Sequence, residues 1–165
     1  MSGDNDFGLR AEALHLLKQP NVGSGRPGRL RGSAQFMQEW IEKAAIGGHV
    51  RIPAGDERDT WSYIEDVASA FFLSVRAATL PSQRIFNIGG DFRSRRELGH
   101  YLQRLVPEAP IDIGAEETAG GYRSTQHVNR RLSDALGFRL QWPLERGVKA
   151  TVNWARTRAG LEPVD

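Results

Sequence analysis

Between Glu57 and Gly90 the chain changes its apolar period twice, and that order narrows the available folds. Thr60 to Tyr63 reads as a short strand. From about Glu65 to Ala78 the residues Val67, Ala70, Phe71, Ser74 and Val75 recur at helical spacing, and Phe72 and Leu73 widen the stripe. Arg84 to Ile88 reads as a second strand, with Ile85, Phe86 and Ile88 apolar, and Gly89-Gly90 turns the chain. A strand, a helix and a strand in succession point to an α/β protein. The breadth of the helical stripe predicts close packing on a sheet.

The flanking segments continue the alternation. Ala11 to Leu17 fits either a short strand or a short helix. A helix after Ser33 places Phe36, Met37, Trp40, Ile41 and Ala44 on one face and stops at Gly47-Gly48. His49 to Ile52 reads as a strand. Ser94 and Glu97 have the spacing of a capping box, ahead of Leu98, Tyr101, Leu102 and Leu105. Ile111 to Ile113 reads as a strand. A helix from about Thr125 to Leu136 ends at Gly137, with Phe138 placed for a hydrophobic stop. The last helix starts near Pro143, carries Leu144, Val148, Thr151, Val152 and Ala155, and ends at Gly160. With 165 residues and no long linker, one folded unit is expected: a disordered start over 1–8, a body over 9–160 and a tail over 161–165.

Several function classes are set aside by residues the chain lacks. It has no Cys, so disulfides and thiolate metal sites are excluded. His15, His49, His100 and His127 do not have metal-ligand spacing, and no Ser sits in a nucleophile elbow. No apolar run is long enough to span a membrane, and Met1 to Asp6 does not resemble a signal peptide, so a cytoplasmic protein is expected. The net charge is only +2, and nucleic acid is not expected as a partner. Gly23, Gly25 and Gly28 satisfy the spacing of a dinucleotide fingerprint. Pro20 precedes them, Pro27 interrupts them and the next helix begins only after Gly32, so a surface loop bearing Arg26, Arg29 and Arg31 is the better reading.

Taken in order, these pieces resemble a known family. Pro20-Asn21-Val22-Gly23, Gln38 to Gly48, Tyr63-Ile64-Glu65-Asp66-Val67-Ala68, Phe86-Asn87-Ile88-Gly89-Gly90, Arg131-Leu132 through Phe138, and Leu144 to Gly147 with Trp154 resemble the C-terminal part of the extended short-chain dehydrogenases/reductases. These are NAD-dependent epimerases and dehydratases of the UDP-galactose 4-epimerase type. The resemblance implies one or two strands of a partial Rossmann-like sheet plus the small substrate-binding lobe. It implies NAD or NADP as cofactor and a sugar or sugar nucleotide as substrate. It also implies that Asn21, Arg58 and Arg123 contact the substrate, with guanidinium groups gripping phosphate. Arg58 stands one residue further from Tyr63 than the family's Arg, a slip that changes the face of a strand unless a bulge absorbs it. Asp66 reads as a helix-start residue.

The family's chemistry needs Tyr-x-x-x-Lys on a helix, where the Lys eases proton exchange by the Tyr. Here Tyr63, Tyr101 and Tyr122 are followed four places on by Val67, Leu105 and Gln126. Neither a complete cofactor site nor a catalytic pair is expected in this chain. The expectation is a substrate-binding portion that is inactive alone; a free-standing sugar-nucleotide-binding module and a truncated product are the alternatives. A separate N-terminal half and self-association are the associations to expect.

Overall fold

The computed structural model describes residues 17–18, 33–77, 85–115 and 126–165. Within them the chain runs β1 (Leu17–Lys18), α1 (Ser33–Ala45), β2 (Val50–Ile52), β3 (Arg58–Trp61), α2 (Ile64–Arg76), β4 (Phe86–Asn87), β5 (Asp91–Ser94), α3 (Arg95–Leu105), β6 (Ile111–Ile113), α4 (Arg130–Leu136) and α5 (Leu144–Arg158). The fold is α/β. Among the described residues the strands form three two-stranded sheets. β1 and β4 are parallel, with Leu17 opposite Phe86. β2 and β6 are parallel, with Val50 opposite Ile111 and Ile52 opposite Ile113. β3 and β5 form an antiparallel ribbon from Arg58–Ser94 to Trp61–Asp91. No helix among the described residues is long and apolar enough to cross a membrane.

Two apolar cores follow from this arrangement. The larger one joins Ile41 and Ala44 of α1, Val50 and Ile52 of β2, Leu98 and Leu102 of α3, and Val148 and Val152 of α5. The smaller one joins Val67 and Ala70 of α2, Phe86 and Ile88 around β4, and Leu132 and Phe138 around α4. Each large side chain buried this way contributes about 1.5–3 kcal/mol relative to exposure. The incomplete β1–β4 pair and the lobe built on β2–β6 thus have separate cores, as a partial Rossmann-like sheet with a small lobe requires.

Local chemistry sets the element ends. The Ser94 hydroxyl accepts from the Glu97 N–H while the Glu97 carboxylate accepts from the Ser94 N–H, so the capping box starts α3. Gly47 adopts φ +77° after α1, and its N–H donates to the Ala44 carbonyl. Gly137 adopts φ +71° after α4, its N–H donates to Ser133, and Phe138 is fully buried behind it.

Some elements differ from their sequence readings. The strand read over Thr60–Tyr63 lies at Arg58–Trp61, two residues earlier. The segment after Gly90 is a strand, β5, where only a turn and a helix cap were read. α4 begins at Arg130, because Asn129 is held outside the helix by its bonds to Gly89: its side chain accepts from the Gly89 N–H at 2.6 Å and donates to the Gly89 carbonyl at 2.8 Å. The tail residue Val164 packs on the larger core, and its N–H donates to Asn153 at 2.8 Å. The loop over 19–32 and the start over 1–8 lie outside the described residues.

The clasp between Asn129 and Gly89 leaves no room for a side chain. A Cβ on Gly89 would lie 1.9 Å from the His127 carbonyl oxygen. Gly89→Ala is expected to destabilise the protein by about 1–3 kcal/mol, as overpacking does, and thermal unfolding followed by circular dichroism measures it. An unchanged melting temperature would show that the two segments do not close on each other.

Candidate functional site

The ribbon β3–β5 carries the one described residue of the three substrate candidates. Asn21 and Arg123 lie outside the described residues, so only Arg58 is placed. Arg58 opens β3 and is exposed. Its guanidinium lies over the Phe92 ring, 5.0 Å from the centroid, and Nη2 donates to the Phe92 carbonyl at 2.6 Å. Among the described residues no carboxylate pairs with it. The four Cα pairs from Arg58 to Trp61 run without interruption, so the strand has no bulge over these residues. Arg58 therefore shares its face of the ribbon with Thr60, Phe92 and Ser94.

The opposite face is filled by charge pairs. Asp59 is buried and accepts from Arg95 Nε at 2.9 Å, while Arg95 Nη2 meets Glu57 at 3.0 Å. Arg95 is itself buried, so its charge is compensated inside the protein. Arg93 forms a second group: its Nε meets Glu97 at 2.6 Å, Nη2 meets Glu145 at 2.9 Å and Nη1 meets Asp91 at 3.5 Å. Asp91 also accepts the first helical N–H of α5, from Leu144, at 3.1 Å. Sequence reasoning missed this cluster because its members come from three elements. The signal available in the sequence was the Arg93-to-Glu97 spacing, which puts the pair beside the capping box.

The described residues offer no acid/base pair of the Tyr–Lys kind. Burial, aided by Glu65, pushes the Tyr63 hydroxyl above its ordinary value. Burial, aided by Glu145, does the same to Tyr101. Both phenols hold their protons more tightly, the reverse of what a catalytic base needs. No group of His, Asp and Glu among the described residues has the arrangement to hold a metal ion. The chemistry this face supports is recognition of an anion by an exposed, pre-stacked guanidinium.

The capping box has a titratable consequence. The Ser94 N–H, with Arg93 behind it, holds the Glu97 carboxyl at about 2, down from 4.5. A depressed pKa stabilises the fold above the unfolded value and is lost as pH falls through the folded one. Glu97→Gln is therefore expected to lower stability most at neutral pH. The gap to the parent protein should shrink between pH 4.5 and about 2 and close below that, measured as denaturant midpoints across the range. A gap independent of pH would remove the carboxylate from the account.

Comparison with known proteins places this geometry in a wider context. No protein-family profile and no curated protein sequence matches the chain. Solved structures do match in fold. UDP-glucose 4-epimerase from Thermotoga maritima, determined with UDP-glucose, superposes with a TM-score of 0.70 at 24% identity, covering 87% of this chain and 46% of that one. MoeE5, in complex with UDP-glucuronic acid and NAD, gives 0.66 at 25% identity, covering 88% and 47%. RMD from Pseudomonas aeruginosa, complexed with NADPH, gives 0.68 at 15% identity, covering 90% and 54%. The chain spans about half the length of the solved structures it matches. Its fold is that of one part of these solved structures.

Proposed function

We propose that this chain is the C-terminal, substrate-binding portion of an NAD(P)-dependent epimerase/dehydratase acting on a sugar nucleotide, and that it is inactive alone. The observation that carries this is Arg58: an exposed guanidinium, held against Phe92 with no carboxylate partner among the described residues, in a fold shared with an epimerase determined with UDP-glucose. Arg58 contacts the diphosphate, and Asn21 and Arg123 supply further contacts. A guanidinium already stacked and hydrogen-bonded loses little freedom on meeting phosphate, which favours a bidentate pair.

The residues present do not fit a whole dinucleotide site. Gly23, Gly25 and Gly28 lie outside the described residues, and in the sequence Pro27 interrupts them. β4 leads into β5 and not into a helix N-terminus that would receive a pyrophosphate. The glycine fingerprint and the Tyr-x-x-x-Lys helix must come from the complementary part of such an enzyme.

Titration calorimetry tests both halves of the proposal. UDP-glucose and UDP-glucuronic acid are expected to bind saturably, and NAD is not. Arg58→Ala should weaken sugar-nucleotide binding by about tenfold to a hundredfold, the worth of a charge-assisted hydrogen bond of ~1.5–3 kcal/mol. Silence across a panel of sugar nucleotides would overturn the binding role, and tight NAD binding would overturn the division of labour.

A further inference from the structure

Helix α5 ends in a reversal that lays the following residues back beside its own last turns. Gly160 adopts φ +72°, its N–H donates to the Thr157 carbonyl at 3.1 Å, and the Leu161 N–H donates to the Arg156 carbonyl at 2.9 Å, the paired bonds of a Schellman stop. Side chains of α5 then hold the returning segment by its backbone. The Asn153 carboxamide takes both main-chain groups of Val164: Oδ1 accepts the N–H at 2.8 Å and Nδ2 donates to the carbonyl at 3.2 Å. Arg156 Nε donates to the Glu162 carbonyl at 2.6 Å. Pro163, between these two anchors, has no N–H to satisfy. Val164 packs on the larger core, while Leu161, Glu162, Pro163 and Asp165 are exposed. Arg156 is a junction as well as an anchor, and its side chain is only 15% exposed. Its Nη1 donates to the Ala45 carbonyl at 3.1 Å, one of those that the end of α1 leaves unpaired, and to Glu108 at 2.8 Å, between α3 and β6.

We propose that Asn153 and Arg156 form a peptide site on α5 and that residues 161–165 are its in-built ligand, a latch that opens and closes as one unit while the rest of the fold stays intact. Two features carry this. The site reads main chain plus one side chain, as a sheet edge reads an extended peptide. The latch also has a single apolar anchor: opening it gives up the Val164 contact and the three hydrogen bonds to Val164 and Glu162, all in one place. A segment held so lightly lies at the low-stability end of a fold and opens below global unfolding. The same chemistry fixes what the site takes: an extended segment with an aliphatic side chain where Asn153 clasps the backbone. A proline before that residue lowers the cost of ordering, because its φ is already set. Glu162 and Asp165 are exposed, so their charges are not read. The latch is independent of the sugar-nucleotide proposal, since it shares no residue with Arg58 or its ribbon.

Nuclear magnetic resonance on the full chain tests the latch. Val164→Asp should open it: the amide at position 164 loses exchange protection by about tenfold or more, and the Asn153 side-chain and Arg156 Nε–H signals shift together. The amides of Val148 and Val152, in the body of α5, should keep their protection. Asn153→Ala opens the latch independently, by removing both main-chain bonds, and should give the same loss at position 164. The peptide Leu-Glu-Pro-Val-Asp, added to the Val164→Asp chain, should bind with a dissociation constant of ~0.1–10 mM and return the Asn153 and Arg156 signals toward their parent positions. The same peptide with Asp in place of Val should not bind. The parent chain, its own segment already in the site, should take the peptide about tenfold more weakly or less. Undiminished protection at position 164 in both variants would overturn the proposal. So would loss of protection at Val148 and Val152 along with it, since the segment would then belong to the core, or a peptide that fails to bind the opened chain or binds without regard to its valine.

Discussion

One buried carboxylate fixes how the two cores meet. Asp66 is fully enclosed, and its two oxygens accept the backbone N–H groups of Gln141 and Trp142 at 2.9 and 3.0 Å. An unpartnered charge in that position would be prohibitive, so the linker between α4 and α5 is bound to the start of α2 by the need to solvate it. The N-terminal end of α2 adds its own favourable dipole. The rings of Tyr63 and Trp142 stack 4.3 Å apart beside the clamp, and Arg146 closes the far side of Trp142 at 3.9 Å. Gly147 makes the stack possible, because a Cβ there would press on the Tyr63 ring at 3.1 Å. Through this node α2, which belongs to the smaller core, is joined to α5, which belongs to the larger one.

The ribbon is organised by the same logic of compensated charge. Asp59, Glu57 and Arg95 satisfy one another, and Arg93 is surrounded by Asp91, Glu97 and Glu145. Removing Arg95 would leave the buried Asp59 carboxylate without its cation, which is far more costly than losing a surface pair. These networks engage Arg93 of β5 and Arg95 at the start of α3. Arg58 is the ribbon cation left to its aromatic platform, and it points the other way.

The legible parts of the fold were those whose signal is local. The Ser94/Glu97 box and the Gly47 and Gly137 stops are each fixed by residues a few positions apart. Asp66 was legible as a helix-start residue, but its two partners lie on a linker far along the chain. β5 was not legible because Asp-Phe-Arg-Ser shows no alternation of polar and apolar residues, and its polar members owe their places to Glu97, Glu145 and Leu144. The start of α4 was set by Gly89, and nothing in its own segment announces that. The wide stripe on α2 was read as a face packed on a sheet, and Val67, Ala70, Phe71 and Leu73 do pack with Phe86 of β4, while Phe72 is exposed. Of the candidate site, the chemical character of Arg58 was legible, while its Phe92 platform depended on a pairing between distant strands.

The parallel pairings also govern how the chain reaches this state. Val50 finds its partner only at Ile111, and Leu17 only at Phe86. Closing such long loops costs entropy before any contact repays it, so these sheets form late, and folding is slow for a chain so rich in helices. As the chain leaves the ribosome, Val50 to Ile52 is made well before β6. For that interval Val50 and Ile52, both buried in the finished fold, have no sheet to join and are open to capture by a chaperone or by a neighbouring nascent chain.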